Sequence, residues 1–168
     1  MAEIKLDKQH PLYQEDLDFI LRTEGLDKLK GKKILITGAT GMLGVCMIDA
    51  LMKYNTIQNA NVGIYAVGRS REKASARLGE YYTNPLFHFI EQDVREKLPE
   101  DLSFDFIIPA ASNTHPMAYS QFPIETIEIN YFGVKHALDK AVKCGATVLW
   151  VSSVEIYGNA RGSDFFTE

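Results

Sequence analysis

The apolar positions of the chain change rhythm at Lys32. Before it, Leu12, Leu17, Ile20 and Leu21 fall near helical spacing in and around YQEDLDFIL, with charges between them and Gly25 as a stop. This predicts a short N-terminal helix packed on the edge of the domain that begins at Lys32. From Lys32 onward, strand-like and helix-like stretches alternate: KILIT then MLGVCMIDALMKY, NVGIYAVG then REKASARLGEYY, LFHFIEQD and FDFIIPAA, then IETIEINYFGVKHALDKAVKCG and TVLWVSS. The runs ILIT, IYAV, FIIP and VLWV are continuously apolar, the pattern of strands covered by helices on both faces. They predict a parallel sheet in an open, doubly wound α/β domain, whose ligands bind outside the carboxyl ends of the strands. Residues 1–31 read as a helical extension and residues 32–168 as the α/β domain, with the stretch from Val154 a loop that no further element closes.

Composition narrows the class. A chain of 168 residues, 46% hydrophobic and 24% charged, suits one packed domain and leaves no room for a second. The formal net charge of -4 comes without a basic stripe, so nucleic acid is not an expected partner. Cys46 and Cys144 lie in helix-like segments without CxxC or Cys/His spacing and read as small core side chains, with neither a disulfide nor a metal site expected. The N-terminus lacks an apolar run, and no window approaches the ~18 apolar residues of a membrane span. A cytoplasmic location without membrane contact is the expectation.

The chemistry begins at TGATGMLG, residues 37 to 44, where three glycines recur every third position between a strand and a helix. That context fits a Rossmann-type dinucleotide fingerprint. Gly38 would take up the tight turn, Gly41 would let a pyrophosphate reach the backbone, and Gly44 would let the helix pack on the sheet. The amides of Thr40, Gly41, Met42 and Leu43 would meet the phosphates, where the helix dipole favours negative charge.

With these residues in place, the chain resembles the extended short-chain dehydrogenases/reductases, the NAD(P)-dependent epimerases and dehydratases of nucleotide sugars. TGATGMLG looks like their TGxxGxxG turn, and QDV at 92 to 94, IIPAAS at 107 to 112 and SSVEIYG at 152 to 158 come after it in the family's order. The resemblance implies that Asp93 and Val94 contact the adenine, and that Ala110, Ala111 and Ser112 line the nicotinamide ribose. The family's HxAA form is replaced here, with Ile108 and Pro109 before the alanines. Asn130 matches a helix asparagine that steadies the active-site backbone in the family; a local capping or turn role is the alternative. Helices resembling IETIEINYFGVKHALDKAVKCG pair in family dimers, so the stripe Ile127, Tyr131, Val134 and Leu138 is either a homodimer face or intrachain core.

The second strand ends in Gly68, Arg69 and Ser70, without the carboxylate that clamps a ribose diol in NAD enzymes. Arg69 and Arg71 would suit a phosphate, which favours NADP; NAD stays open, because related enzymes with arginine there also hold it. For the reaction, the resemblance implies that Ser153, four residues before Tyr157, donates to the sugar's C4 oxygen. Glu155 matches the glutamate of 4,6-dehydratases and UDP-glucuronate decarboxylases, with a solvated loop carboxylate as the alternative. Val154 replaces the aspartate common in dehydratases, which favours decarboxylase-like or epimerase-like chemistry.

The family's oxidation step also needs a tyrosine and a lysine spaced YxxxK after the serine. The YxxxK of this chain, Tyr131 to Lys135, precedes Ser153 and belongs to another element, while Tyr157 has Arg161 four residues on. The substrate-binding domain of such enzymes comes after the cofactor domain, and it is expected to be absent from these residues. The sequence thus points to the cofactor-binding part of a nucleotide-sugar epimerase, dehydratase or decarboxylase, inactive alone. The alternative is a non-catalytic NAD(P)-binding regulator or scaffold on the same fold.

Overall fold

A computed structural model of the chain describes residues 7–114 and 116–153. Its centre is β1 (Lys33–Thr37), flanked by β2 (Gly63–Gly68) and β3 (Phe87–Glu91) on one side and by β4 (Phe106–Ile108) and β5 (Thr147–Val148) on the other. All four pairings are parallel, in the order β3-β2-β1-β4-β5. The chain winds outward from β1 to β3, then crosses back to lay β4 beside β1, and this reversal opens a crevice at the carboxyl ends of β1 and β4. The architecture is the Rossmann-type α/β fold that the alternating pattern predicts.

Successive residues of a strand point to opposite faces, and both faces are covered here. Ile34 and Ile36 of β1 pack with Ile48 and Leu51 of α2 (Met42–Gln58) and with Leu78 of α3 (Arg71–Leu78). Leu35 turns the other way and joins Val67, Ile107 and the buried residues Ile129, Ala137 and Ala141 of α5 (Pro123–Cys144). Double coverage is why these strands read as unbroken apolar runs. Helix ends obey local chemistry: Asn59 closes α2 in the left-handed region, Pro123 opens α5, and Gly145 at φ +68° ends it.

Three elements differ from expectation. Helix α1 (Pro11–Ile20) stops before Gly25, which instead takes φ +82° and opens a single 3-10 turn, Leu26–Leu29. The helix α1 lies on α2, at the margin of the α/β domain, where Asp49 of α2, buried to 2% exposure, accepts from Lys8 Nζ at 2.7 Å, Tyr13 Oη at 2.7 Å and Tyr81 Oη at 2.8 Å. A short α4 (Pro116–Gln121), unforeseen in the sequence, precedes α5. In TVLWV only Thr147 and Val148 form a regular strand, although Leu149 N–H to Ile107 O at 3.0 Å and Val151 N–H to Pro109 O at 3.3 Å continue the ladder. The α5 stripe is not intrachain core among the described residues: Ile127, Tyr131 and Leu138 are exposed and Val134 is half-buried. Val154, Glu155, Tyr157 and Arg161 lie outside the described residues.

Candidate functional site

The crevice is stitched at its base by Thr37. This buried last residue of β1 accepts at Oγ1 from the amides of Ala110 (3.2 Å) and Ala111 (3.3 Å), tying the strand end of β1 to that of β4. Gly38 comes next at φ +65°, and a Cβ there would lie 2.5 Å from Ala110 O. A Cβ on Gly44 would lie 2.4 Å from Gly38 O and 2.8 Å from Ala39 Cα. The outer glycines are therefore required by packing alone. Gly41 is different: its φ of -76° suits any residue, and a Cβ would meet only Gly38 O, at 3.1 Å. It is the N-cap of α2, with no side-chain hydrogen bond capping the helix. The first-turn amides thus present a donor surface suited to an anion.

This turn forms one wall of a cleft of about 610 Å3, within the usual size range of small-molecule sites. The three glycines line it with Thr40, Met42 and Leu43, as do Arg69, Val94 and the run Ala110, Ala111 and Ser112. The loop behind that run is held by Asn113, whose side-chain amide donates to Thr126 Oγ1 of α5 at 3.0 Å. Three cations, Arg69, Lys73 and Arg77, reach the cleft, and none of the described residues lining it is a carboxylate. Lys73 and Arg77 went unrecognised in the sequence. Their four-residue spacing in REKASAR puts them on one helix face, a signal that needed the site's position to be read.

Other expected residues lie off the cleft. Arg71 is engaged elsewhere: its amide and Nε donate to Glu91 at 2.8 and 3.1 Å, and its guanidinium lies 5.4 Å from the centre of the Phe89 ring. Arg69 also has a partner, Glu125 Oε1 of α5 at 2.8 Å. Asp93 precedes the cleft-lining Val94, but Arg95 takes its carboxylate through the backbone amide at 2.9 Å and through Nη2 at 2.8 Å. Those side-chain and backbone hydrogen bonds hold the Asp93 carboxyl below its ordinary range. Asn130 is exposed on α5 and donates to Thr126 O of its own helix at 2.9 Å. Ser153 is exposed past the β5 ladder and does not line this cleft. Tyr131 packs on Phe132, and Lys135 pairs with Asp139 at 2.6 Å, so this YxxxK stays out of the cleft. Among the described residues no three His, Cys, Asp or Glu side chains could hold a metal, and no helix is long and apolar enough to cross a membrane.

Comparison with known proteins agrees with this geometry. Residues 34–168 match the NAD dependent epimerase/dehydratase family. UDP-glucuronic acid decarboxylase 3 of Arabidopsis thaliana is 32% identical over 127 residues, covering 76% of this chain and 35% of the relative. UDP-glucuronic acid decarboxylase 1 of Danio rerio is 32% identical over 128 residues, 76% of this chain and 29% of the relative. The chain thus spans only about a third of the curated relatives it matches. Among solved structures, the dTDP-glucose 4,6-dehydratase DesIV of Streptomyces venezuelae with NAD bound superposes with a TM-score of 0.66 at 22% identity, over 79% of this chain and 43% of that one. A UDP-galactose 4-epimerase gives 0.60 at 22% identity, over 76% of this chain and 40% of that one. These structures show the shared fold, and the family match, which runs from β1 to the last residue, shows that the chain belongs to the NAD-dependent epimerase/dehydratase family.

Proposed function

We propose that this chain is the nicotinamide-dinucleotide-binding part of a nucleotide-sugar epimerase, dehydratase or decarboxylase. The observation that carries the reading is the glycine turn, which sets uncapped helix amides at the β1/β4 crossover beside a cleft lined by three cations and, among the described residues, no carboxylate. The NAD-bound DesIV and the UDP-glucuronic acid decarboxylases support the cofactor and the substrate class.

Bound there, the cofactor would supply reversible hydride acceptance. The pyrophosphate would rest on the amides of Met42 and Leu43, the adenine near Val94 and Asp93, and the nicotinamide ribose along Ala110, Ala111 and Ser112. Arg69 and Lys73 favour a 2′-phosphate and hence NADP, with Arg71 taking no part. Ser153 would donate to the sugar's C4 oxygen and Glu155 would act at C5 or on the departing carboxylate. Asn130 would act on the backbone near the site only after giving up its bond to Thr126. The exposed α5 stripe suits a homodimer, and a cytoplasmic location fits the composition.

The test is calorimetric titration of the chain with NADP and NAD. Micromolar or tighter binding with NADP preferred is expected; tighter NAD binding sinks the preference, and no binding of either sinks the function. In the same preparation no nucleotide sugar should turn over. Turnover that Ser153→Ala abolishes would show the chain to be a complete enzyme. The second reading, a binding module without redox chemistry, draws on the absence of a Tyr/Lys pair from the cleft among the described residues.

A further inference from the structure

Arg77 is the side chain that joins α3 to the glycine turn. It is half-buried in the last turn of α3, next to Leu78 and one turn after Ala74, both at 0% exposure, so its backbone sits on a fixed base. Its Nη1 donates to Thr40 O at 2.7 Å, across 37 positions of sequence, and the side chain also lines the cleft. The peptide linking Thr40 to Gly41 is consequently held at both ends, since its N–H donates to Gly38 O at 2.9 Å. Fixing that peptide sets the direction in which α2 begins, because Gly41 is the N-cap and its carbonyl accepts from Val45 N–H at 2.9 Å. Gly41 has no side chain to hold this geometry, and no capping side chain assists it.

A carbonyl beside an anion site also opposes the anion, since its oxygen carries partial negative charge. A guanidinium on that oxygen offsets the charge and brings a permanent cation to the same wall. We infer that Arg77 is a positioning residue for the dinucleotide pyrophosphate: it pins the Thr40–Gly41 peptide so that the first amides of α2 stand ready for phosphate, and it supplies the fixed charge behind them. This rests on the cofactor reading above and adds a residue to it.

The role predicts a loss that depends on phosphate. Arg77→Met should weaken binding of NADP, NAD and ADP-ribose by about 10- to 50-fold. It should change binding of adenosine, which lacks the pyrophosphate, by less than about 2-fold. Arg77→Lys, which keeps the charge without the fork, should recover part of the dinucleotide affinity, and more of it at 20 mM than at 300 mM salt, about the range over which screening becomes strong. All are read by titration of the 168-residue chain, with thermal unfolding of the ligand-free variants in parallel. Equal losses for adenosine and dinucleotide, or no loss for either, overturn the inference. Should Arg77→Met fail to fold, Arg77→Lys and Arg77→Gln are compared on the same ligand series under the same criterion. An unmutated chain that binds adenosine but no dinucleotide overturns the cofactor reading itself, a result distinct from normal dinucleotide binding by every Arg77 variant.

Discussion

The two sides of the sheet are built to different degrees of closure. Around β1 and β2, both faces of the strands are covered, and the glycine turn fits against its neighbours with no room for a methyl group at Gly38 or Gly44. On the β4 and β5 side, α5 covers one face near Ile129 and Ala137, while Leu149 and Trp150 stand about 60% exposed and the outer stripe of α5 faces solvent. Packing therefore gives a closed cradle in one half and an open surface in the other. This open surface is where the homodimer proposed above would form. The cleft lies across the join: the glycine turn with Arg69, Lys73 and Arg77 borders it on the closed side and the run Ala110 to Ser112 after β4 on the other, while Ser153 lies on the open side.

Two glycines with nearly the same backbone make the sharpest test of this contrast. Gly38 has φ +65° and a methyl there would strike the Ala110 carbonyl; Gly145 has φ +68° and nothing within 4 Å. Gly38→Ala should cost about 4 kcal/mol, the left-handed penalty plus overpacking against backbone, whereas Gly145→Ala should cost about 1 kcal/mol. Urea unfolding measures both, and equal costs would break the comparison. Next in size is Asp49→Ala, which removes the shared acceptor of Lys8 Nζ, Tyr13 Oη and Tyr81 Oη behind α2 and leaves Lys8 its ion pair with Glu80. A loss of about 3 kcal/mol is expected, together with early proteolysis of the stretch before Lys32. Loss of stability without release of that stretch would separate the anchor from the extension.

The smallest effect concerns pH. The folded Asp93 carboxyl titrates below its ordinary value of 3.8, so its contribution is complete above that value and fades as pH falls through the lower, folded-state value. Asp93→Asn should therefore be less stable than the unmutated chain by about 0.5 kcal/mol at neutral pH, and the gap should close as pH falls below 3.8 and through the folded-state value. A gap that persists in acid would assign the effect to geometry rather than to charge.

Much of the site was readable as text because local chemistry writes it. Gly38 and Gly44 had to be glycine for a turn and a close approach, and both reasons hold in three dimensions. The strands of the parallel sheet were readable because coverage on both faces leaves no polar alternation in ILIT or IYAV. Arg71 shows where such reading stops. Two residues from Arg69, it looked equally able to meet a phosphate, but the first turn of α3 carries it to Glu91 and Phe89, away from the cleft. Val94 lines the cleft as the adenine reading expects, but the claim of Arg95 on the neighbouring Asp93 carboxylate is a matter of side-chain direction that spacing does not encode.

Periodicity and glycine spacing were enough to establish the alternation of strands and helices, the parallel sheet and the place of the glycine turn, because each depends on residues near one another in the chain. Which cations reach the cleft, that Thr37 stitches β1 to β4, that Asp49 anchors the leading helix and that the α5 stripe faces outward all depend on packing between distant segments. Those contacts join segments tens of residues apart, as when the crossover brings β4 beside β1, and a local pattern carries no record of them.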